Sequence, residues 1–240
     1  MSNILDDIID NGGKNKTKGV LRHPKKQSTD SLIGGQVEAY NNLIRFTLSG
    51  HTMYCFEGVA GAGKSYCINM FLEEMIYSHG SVICACAPTH KAKVVLQQMA
   101  EFESESLDYN TIHSLLGLKP IVTAKGEEKF VKDATNKNKV GDYDYIIIDE
   151  SSMLDDILFS YLIEELDNHP HLKIIFVGDN KQLPPVNHVS SAPMDADRRD
   201  KYEIGHSLLT EIVRQKGTNP IITLSKEIRE GKFEPKNDIN

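Results

Sequence analysis

The residues Gly58-Val59-Ala60-Gly61-Ala62-Gly63-Lys64-Ser65 have the types and the spacing to grip a polyphosphate. They fit G-x-x-x-x-G-K-[ST], the phosphate-binding P-loop. Glycine's freedom lets the backbone curl until successive N–H groups point inward at an anion. A helix starting at the end of the loop adds its unpaired N-terminal amides and the positive end of its dipole. The expected nucleotide contacts are Gly58, Ala60, Gly61, Ala62, Gly63, Lys64 and Ser65. Lys64 is expected to reach the β- and γ-phosphates of ATP, and the Ser65 hydroxyl to contact Mg2+. Far downstream, the apolar run Tyr145-Ile146-Ile147-Ile148 ends in two adjacent carboxylates, Asp149 and Glu150. In P-loop NTPases an Asp so placed holds the same Mg2+, and a Glu beside it can orient or deprotonate the attacking water. The alternative is a capping pair at a helix start, since Ser151-Ser152 follow.

Periodicity supplies the elements that must position these groups. Thr52 to Phe56 reads as a short buried strand and Tyr66 to Tyr77 as a helix, so the P-loop lies between strand and helix. Gly35 to Ile44 reads as an amphipathic helix ahead of that unit. Its Gln36 is a candidate for reading an adenine edge, because an amide both donates and accepts. Ser81 to Ala87 is nearly unbroken apolar sequence, as expected for a parallel strand covered on both faces. It runs into the polar loop Pro88-Thr89-His90-Lys91 and a helix from Ala92 to about Phe102; ligands of parallel sheets bind beyond such strand ends. Thr111 to Leu118 reads as a short helix-like piece. Pro120 to Ala124 and Lys129 to Lys132, around a glycine turn, predict a small projecting hairpin with Phe130 among charged neighbours.

Lys173 to Gly178 predicts a third buried strand, ending in Asp179-Asn180-Lys181-Gln182-Leu183-Pro184-Pro185-Val186. Gln182 could hydrogen-bond a γ-phosphate or the attacking water. Residues 190 to 200 read as a polar, mobile surface loop. Arg214, after the apolar segment Leu208 to Val213, could offer a guanidinium to a γ-phosphate. Pro220 to Glu230 reads as a final helix.

Composition sets the limits. A net charge of −7 excludes a chain that is basic all over and leaves any nucleic-acid contact to a local groove. The longest apolar runs fall well short of a membrane span, and the polar first thirty residues carry no secretory signal. They read as a flexible tail. Cys55, Cys67, Cys84 and Cys86 form no C-x-x-C pair and are expected to be reduced core thiols of a cytoplasmic protein, without zinc or disulfide.

Taken in order, Gln36, the P-loop, Ala87-Pro88-Thr89-His90-Lys91-Ala92, Asp149-Glu150, Gly178 to Val186 and Leu209 to Gln215 resemble superfamily 1 DNA helicases of the 5′-to-3′, RecD-like branch. The resemblance covers about residues 30 to 235, and its most specific block is Gly-Asp-x-x-Gln-Leu-Pro-Pro-Val. It implies an α/β, RecA-like P-loop domain over residues 31–235 with a mainly parallel sheet and a β-hairpin insert at 119–140, the strand-separating pin. It implies that Gln36 recognises adenine and that Lys64, Ser65 and Asp149 hold phosphates and Mg2+. Glu150 is then the base, Gln182 couples the γ-phosphate to DNA, and Arg214 contacts that phosphate. Pro88, Thr89, His90, Thr111 and His113 would line the single-strand track, and Phe130 falls near the pin's aromatic position.

Such helicases act on single-stranded and forked DNA and carry a second RecA-like domain. This chain, expected to work as a monomer in the cytoplasm (the bacterial host's if phage-encoded), ends soon after Arg214. It therefore reads as a first motor domain: an excised piece, a truncated gene product or half of a split enzyme. Two rivals stand beside the ATP-driven helicase. A nucleotide kinase shares the P-loop but leaves Asp149-Glu150 and the Gly178–Val186 block unexplained. A lone domain that binds ATP without turnover would act as a binding module.

Overall fold

The structure, a computed structural model, describes residues 31–211, apart from 101, 124, 125, 127, 134, 136, 137 and 187, together with residue 232. The N-terminal tail, Arg214 and the helix expected over 220–230 lie outside the described residues.

Six strands form one sheet in the order β3-β2-β6-β7-β1-β8. They are β1 (Met53–Gly58), β2 (Ile83–Ala87), β3 (Leu107–Thr111), β6 (Tyr145–Ile148), β7 (Lys173–Gly178) and β8 (Gly205–Leu209). Every pairing is parallel. The apolar runs are therefore buried on both faces, as parallel strands under helices must be. Alternate residues divide between two cores. Tyr54, Phe56, Ala85, Ile147, Ile175 and Val177 face α1 (Gly35–Leu48) and α2 (Lys64–Glu73). Met53, Cys55, Ile146, Ile148, Ile174 and Phe176 face α4 (Ile112–Leu115) and α5 (Asp156–Asn168). The α/β architecture with a mainly parallel sheet expected from the sequence is the one found. Phe56, Phe71 and Phe176 are fully buried, and each such ring contributes about 1.5–3 kcal/mol.

Local chemistry sets the element ends. Thr89 accepts from Ala92 N and caps α3 (His90–Met99). Asp155 accepts from Leu158 N and caps α5. Lys173 donates to the carbonyls of Ser49 and His51 and lies over the Phe46 ring, tying the carboxyl end of α1 to the start of β7. The helix expected to run to Tyr77 is α-helical to Glu73 and continues as a five-residue π turn, Glu74–Ser78.

A separate antiparallel pair, β4 (Leu118–Val122) and β5 (Glu128–Lys132), is the expected hairpin, with Pro120 opposite Phe130. Its base is fastened to α5: Lys132 Nζ lies 2.8 Å from Glu164 and 3.6 Å from Glu165 and over the Tyr161 ring. Residues 190 to 200 differ from the mobile loop expected. Ser191 to Met194 are buried, and Asp195 caps a short helix, α6 (Ala196–Lys201). The segment is polar because α6 lies at the surface with no buried residue, and local composition does not reveal the burial of Ala192 and Met194 in the sheet's second core. Among the described residues no helix is long and apolar enough to cross a membrane.

Candidate nucleotide site and nucleic-acid surface

The P-loop leaves the carboxyl end of β1 and turns into α2. Gly61 and Gly63 adopt positive φ, 81° and 87°. A side chain at Gly63 would be strained and would also collide with Gln36, whose Nε2 lies 2.2 Å from an added Cβ. Gln36 is buried; its Nε2 donates to Ala62 O at 2.9 Å and its Oε1 accepts from Ile33 N at 3.1 Å. The side chain thus braces the loop from α1. Lys64 Nζ donates to Gly58 O at 2.6 Å, folding the ammonium over the loop's own carbonyls. A cleft of about 490 Å³ opens here, lined by Ser31, Ile33, Gln36, Gly61, Gly63, Lys64, Ser65, Tyr66, Asn69 and Met99. That volume suits a nucleotide. Ile33, Tyr66 and Met99 are walls that sequence reasoning missed; a motif marks the phosphate grip but not the apolar side of a cleft.

Asp149 and Glu150 leave the end of β6, two strands from β1. Asp149 N donates to Cys86 O, and Ser151 Oγ donates to Val177 O, so neighbouring strands pin the turn on both sides. The turn packs on Gly178, where a Cβ would lie 3.0 Å from Ser151 Oγ and 2.9 Å from Met194 Cε. Glu150 has φ 52° and ψ 36°, left-handed backbone that a non-glycine residue adopts at a cost of roughly 1–2 kcal/mol. Such strain persists where the surroundings over-determine it, commonly at functional sites.

Burial raises the Asp149 carboxyl above the usual range, opposed by the Glu150 backbone N–H and the Lys64 charge. Glu150 is raised by burial and by Asp149, with Lys64 opposing. The Lys64 charge acts on both carboxylates, and Ser65 and Asp149 are polar borders of an otherwise mainly apolar cavity of about 30 Å³ that Ile68, Leu72, Leu96, Ile147 and Val177 also line. The Ser65 hydroxyl that follows the glycine loop and the Asp149 carboxylate, on which the Lys64 ammonium acts, are donor types that fit a Mg2+-polyphosphate.

A carboxyl raised in the folded state binds more protons folded than unfolded between its two pKa values. Stability then falls as pH rises through that interval. The nucleotide-free chain is expected to lose stability as pH climbs through the raised values of Asp149 and Glu150. Asp149→Asn removes one share of that loss and should raise the apparent Tm at neutral pH by a few degrees, with the gain gone at acidic pH. Calorimetry at the two pH values checks this; a lower Tm at neutral pH would show the carboxylate to be structurally required.

Asp179, at the end of β7, is 2 % exposed and accepts from Lys181 N, while Gln182 N donates to Asp179 O. This turn leaves the Gln182 side chain exposed. At the next strand ends, Pro88 to His90 follow β2 and Thr111 ends β3 beside it, with Ala87 opposite Thr111. Thr89 and His90 are exposed, whereas Thr111 is 5 % exposed and its hydroxyl accepts from Ser114 N as the cap of α4. His113 is half-buried, its imidazole held below the usual value by burial. It meets Phe130 of the hairpin, ring centroids 3.9 Å apart. Strand-end loops thus place Lys64, Ser65, Asp149 and Glu150 at one end of the sheet, while Phe130 joins His113.

Over residues 31–239 the chain matches the family described as AAA domain. The chain belongs to that family. It is 31% identical over 207 residues to the ATP-dependent DNA helicase Dda of Enterobacteria phage T4, covering 85% of this chain and 44% of that protein. The fold is that of the Pif1 helicase from Candida albicans, with TM-score 0.59, 22% identity and coverage of 86% of this chain and 46% of the other. Bacteroides Pif1 bound to single-stranded DNA gives TM-score 0.53 at 20% identity, covering 83% and 47%. The chain spans less than half the length of each of these proteins.

Proposed function

We propose that this AAA domain is the ATP-hydrolysing motor half of a DNA helicase that moves along single-stranded DNA and unwinds duplex ahead of it. The observation that carries the reading is that the P-loop after β1 and the Asp149-Glu150 pair after β6 leave the carboxyl ends of strands in one parallel sheet, with the Lys64 charge acting on both carboxylates. In support, the Dda relative is named an ATP-dependent DNA helicase, and a Pif1 of the same fold is bound to single-stranded DNA.

In this reading Lys64 and the loop amides hold the ATP phosphates, and Gln36 and Tyr66 flank the base. To read adenine, Gln36 gives up one of its two contacts to Ile33 and Ala62. Ser65 and Asp149 would hold Mg2+, which supplies charge neutralisation at the phosphate oxygens. Glu150 accepts the proton of the attacking water; its raised affinity for protons suits a base. Gln182 senses the γ-phosphate. Arg214 lies five residues beyond Leu209, whose carbonyl accepts from Val59 N of the P-loop at 3.1 Å. Arg214 contacts the γ-phosphate in this reading. Pro88, Thr89, His90, Thr111 and His113 belong to the DNA track, Thr111 through its buried cap. The chain works as a monomer in the cytoplasm, with a second RecA-like domain completing the cleft.

The deciding experiment is ATP hydrolysis with and without single-stranded DNA in the presence of the second domain. Stimulation by DNA is expected; phosphoryl transfer to a nucleotide acceptor would make the protein a kinase instead. Glu150→Gln should leave Mg2+-ATP binding intact and slow turnover roughly 10²-fold or more; equal loss of binding would mark Glu150 as structural. Phe130→Ala in the two-domain enzyme should lower unwinding while sparing DNA-stimulated hydrolysis, because base stacking on an aromatic ring is worth about 1–3 kcal/mol. A proportional fall in both activities, read by a fork-unwinding assay beside phosphate release, would assign Phe130 to packing against His113.

A further inference from the structure

A second cluster of reactive side chains lies on the opposite edge of the P-loop strand. Cys55 and Glu57 are two residues apart on β1, so they project from the same face. On β8, His206 is the register partner of Cys55. A thiol sulfur, a carboxylate oxygen and an imidazole nitrogen from these three residues all lie within 4.8 Å of one another. Cys55 is 0% exposed and Glu57 3%, while the His206 side chain is 30% exposed. His206 Nε2 and Glu57 Oε2 are 2.9 Å apart. Arg199 Nη1 stands 3.7 Å from the same oxygen. None of these groups serves the nucleotide site.

We propose that Cys55, Glu57 and His206 form a binding site for a divalent, borderline-soft transition-metal ion, best met by Zn2+, with water as fourth ligand on the exposed His206 side. Thiolate, carboxylate and imidazole are all zinc ligands, at about 2.0–2.3 Å from the ion, and the sulfur excludes the hard cations Mg2+ and Ca2+. One thiolate and one carboxylate offset the charge of a 2+ ion, and the partly exposed Arg199 guanidinium beside Glu57 keeps its own contact with solvent.

Two ligands ride on a central strand bonded to β7 and β8 and are fixed in place. The adjustable one is the exposed imidazole, which exchanges its hydrogen bond to Glu57 for the ion. In the metal-free protein burial pushes the Cys55 thiol up to about 12, against the pull of Arg199. Binding therefore releases the thiol proton to solvent as the sulfur–metal bond forms. Arg199 also donates to Pro193 O and remains beside Glu57 as an outer-shell partner.

The probe is Co2+, a spectroscopic stand-in for zinc, titrated into the metal-free 240-residue chain. The expected result is a thiolate-to-cobalt charge-transfer band and intense tetrahedral visible bands that saturate at one equivalent and vanish on adding Zn2+. Zinc should raise Tm. Cys55→Ser should abolish the charge-transfer band and Cys84→Ser should not. His206→Asn, at an exposed side chain that leaves the core untouched, should weaken binding by more than the roughly 10–100-fold that loss of an outer-shell partner costs. Weak octahedral bands alone, a thiolate band that survives His206→Asn with unchanged affinity, or one that depends on Cys84 would each overturn the proposal.

Discussion

Lys64→Ala is expected to abolish Mg2+-ATP hydrolysis and to weaken nucleotide binding at least about tenfold. The Lys64 ammonium sits over the P-loop carbonyls of Gly58 and Val59, at the mouth of the cleft. A hydrogen bond from a charged donor is worth roughly 1.5–3 kcal/mol, or about 10- to 150-fold in affinity. The loss in turnover is larger because the same charge acts on both carboxylates, holding down the proton affinity of Asp149 and Glu150. Without it Asp149 is a poorer cation ligand, and both groups hold protons to higher pH. Binding of a fluorescent nucleotide and phosphate release, measured on the same preparation, separate the two effects. Hydrolysis at the unsubstituted rate would remove the P-loop from the mechanism.

Supplying a second RecA-like lobe, fused or in trans, should raise DNA-stimulated hydrolysis by about 10³–10⁵-fold, the contribution of an arginine delivered to the γ-phosphate in related NTPases. Residues 1–240 alone should bind Mg2+-nucleotide, turn it over slowly and leave forks intact. The motivating observations are a cleft walled by a single sheet's loops and a match spanning only 44% of the Dda relative. Without an opposing lobe, closure on ATP cannot shift DNA past a fixed grip. Lys64→Ala serves as the contamination control. Robust unwinding by residues 1–240, absent in that control, would show instead that copies of this chain supply the missing groups to one another.

The parts of the site that the sequence displays are those whose chemistry is local. A P-loop is contiguous, and Asp149-Glu150 is marked by the apolar strand before it, so strand, loop and carboxylates could be placed before any coordinates. β3 and β8 were harder. Leu107 to Thr111 alternates weakly because β3 is an edge strand, and β8, the other edge, exposes Leu208 at 50%. Contacts between distant segments had no local signature. Gln36 was legible as a polar residue near a P-loop, but its grip on Ala62 O was not. Phe130 stood out among charges, yet its partner His113 follows from the fold. The cysteine spacing pointed to reduced core thiols, and Cys55, Cys67, Cys84 and Cys86 are all free and buried; that His206 lies opposite Cys55 follows only from strand register.

Strand order also governs when the site can exist during synthesis. β1 is made early, yet Tyr54 pairs with Ile175 on one side and Gly205 on the other. At about 5–20 residues per second, roughly ten seconds pass on the ribosome before β7 emerges to cover it. Until then Met53, Tyr54, Cys55 and Phe56, all buried in the finished domain, have neither hydrogen-bonding neighbour. The phosphate loop is thus translated long before it can be shaped. A nascent chain released short of Leu209 would present β1 as an unpaired apolar edge, which invites pairing with other chains.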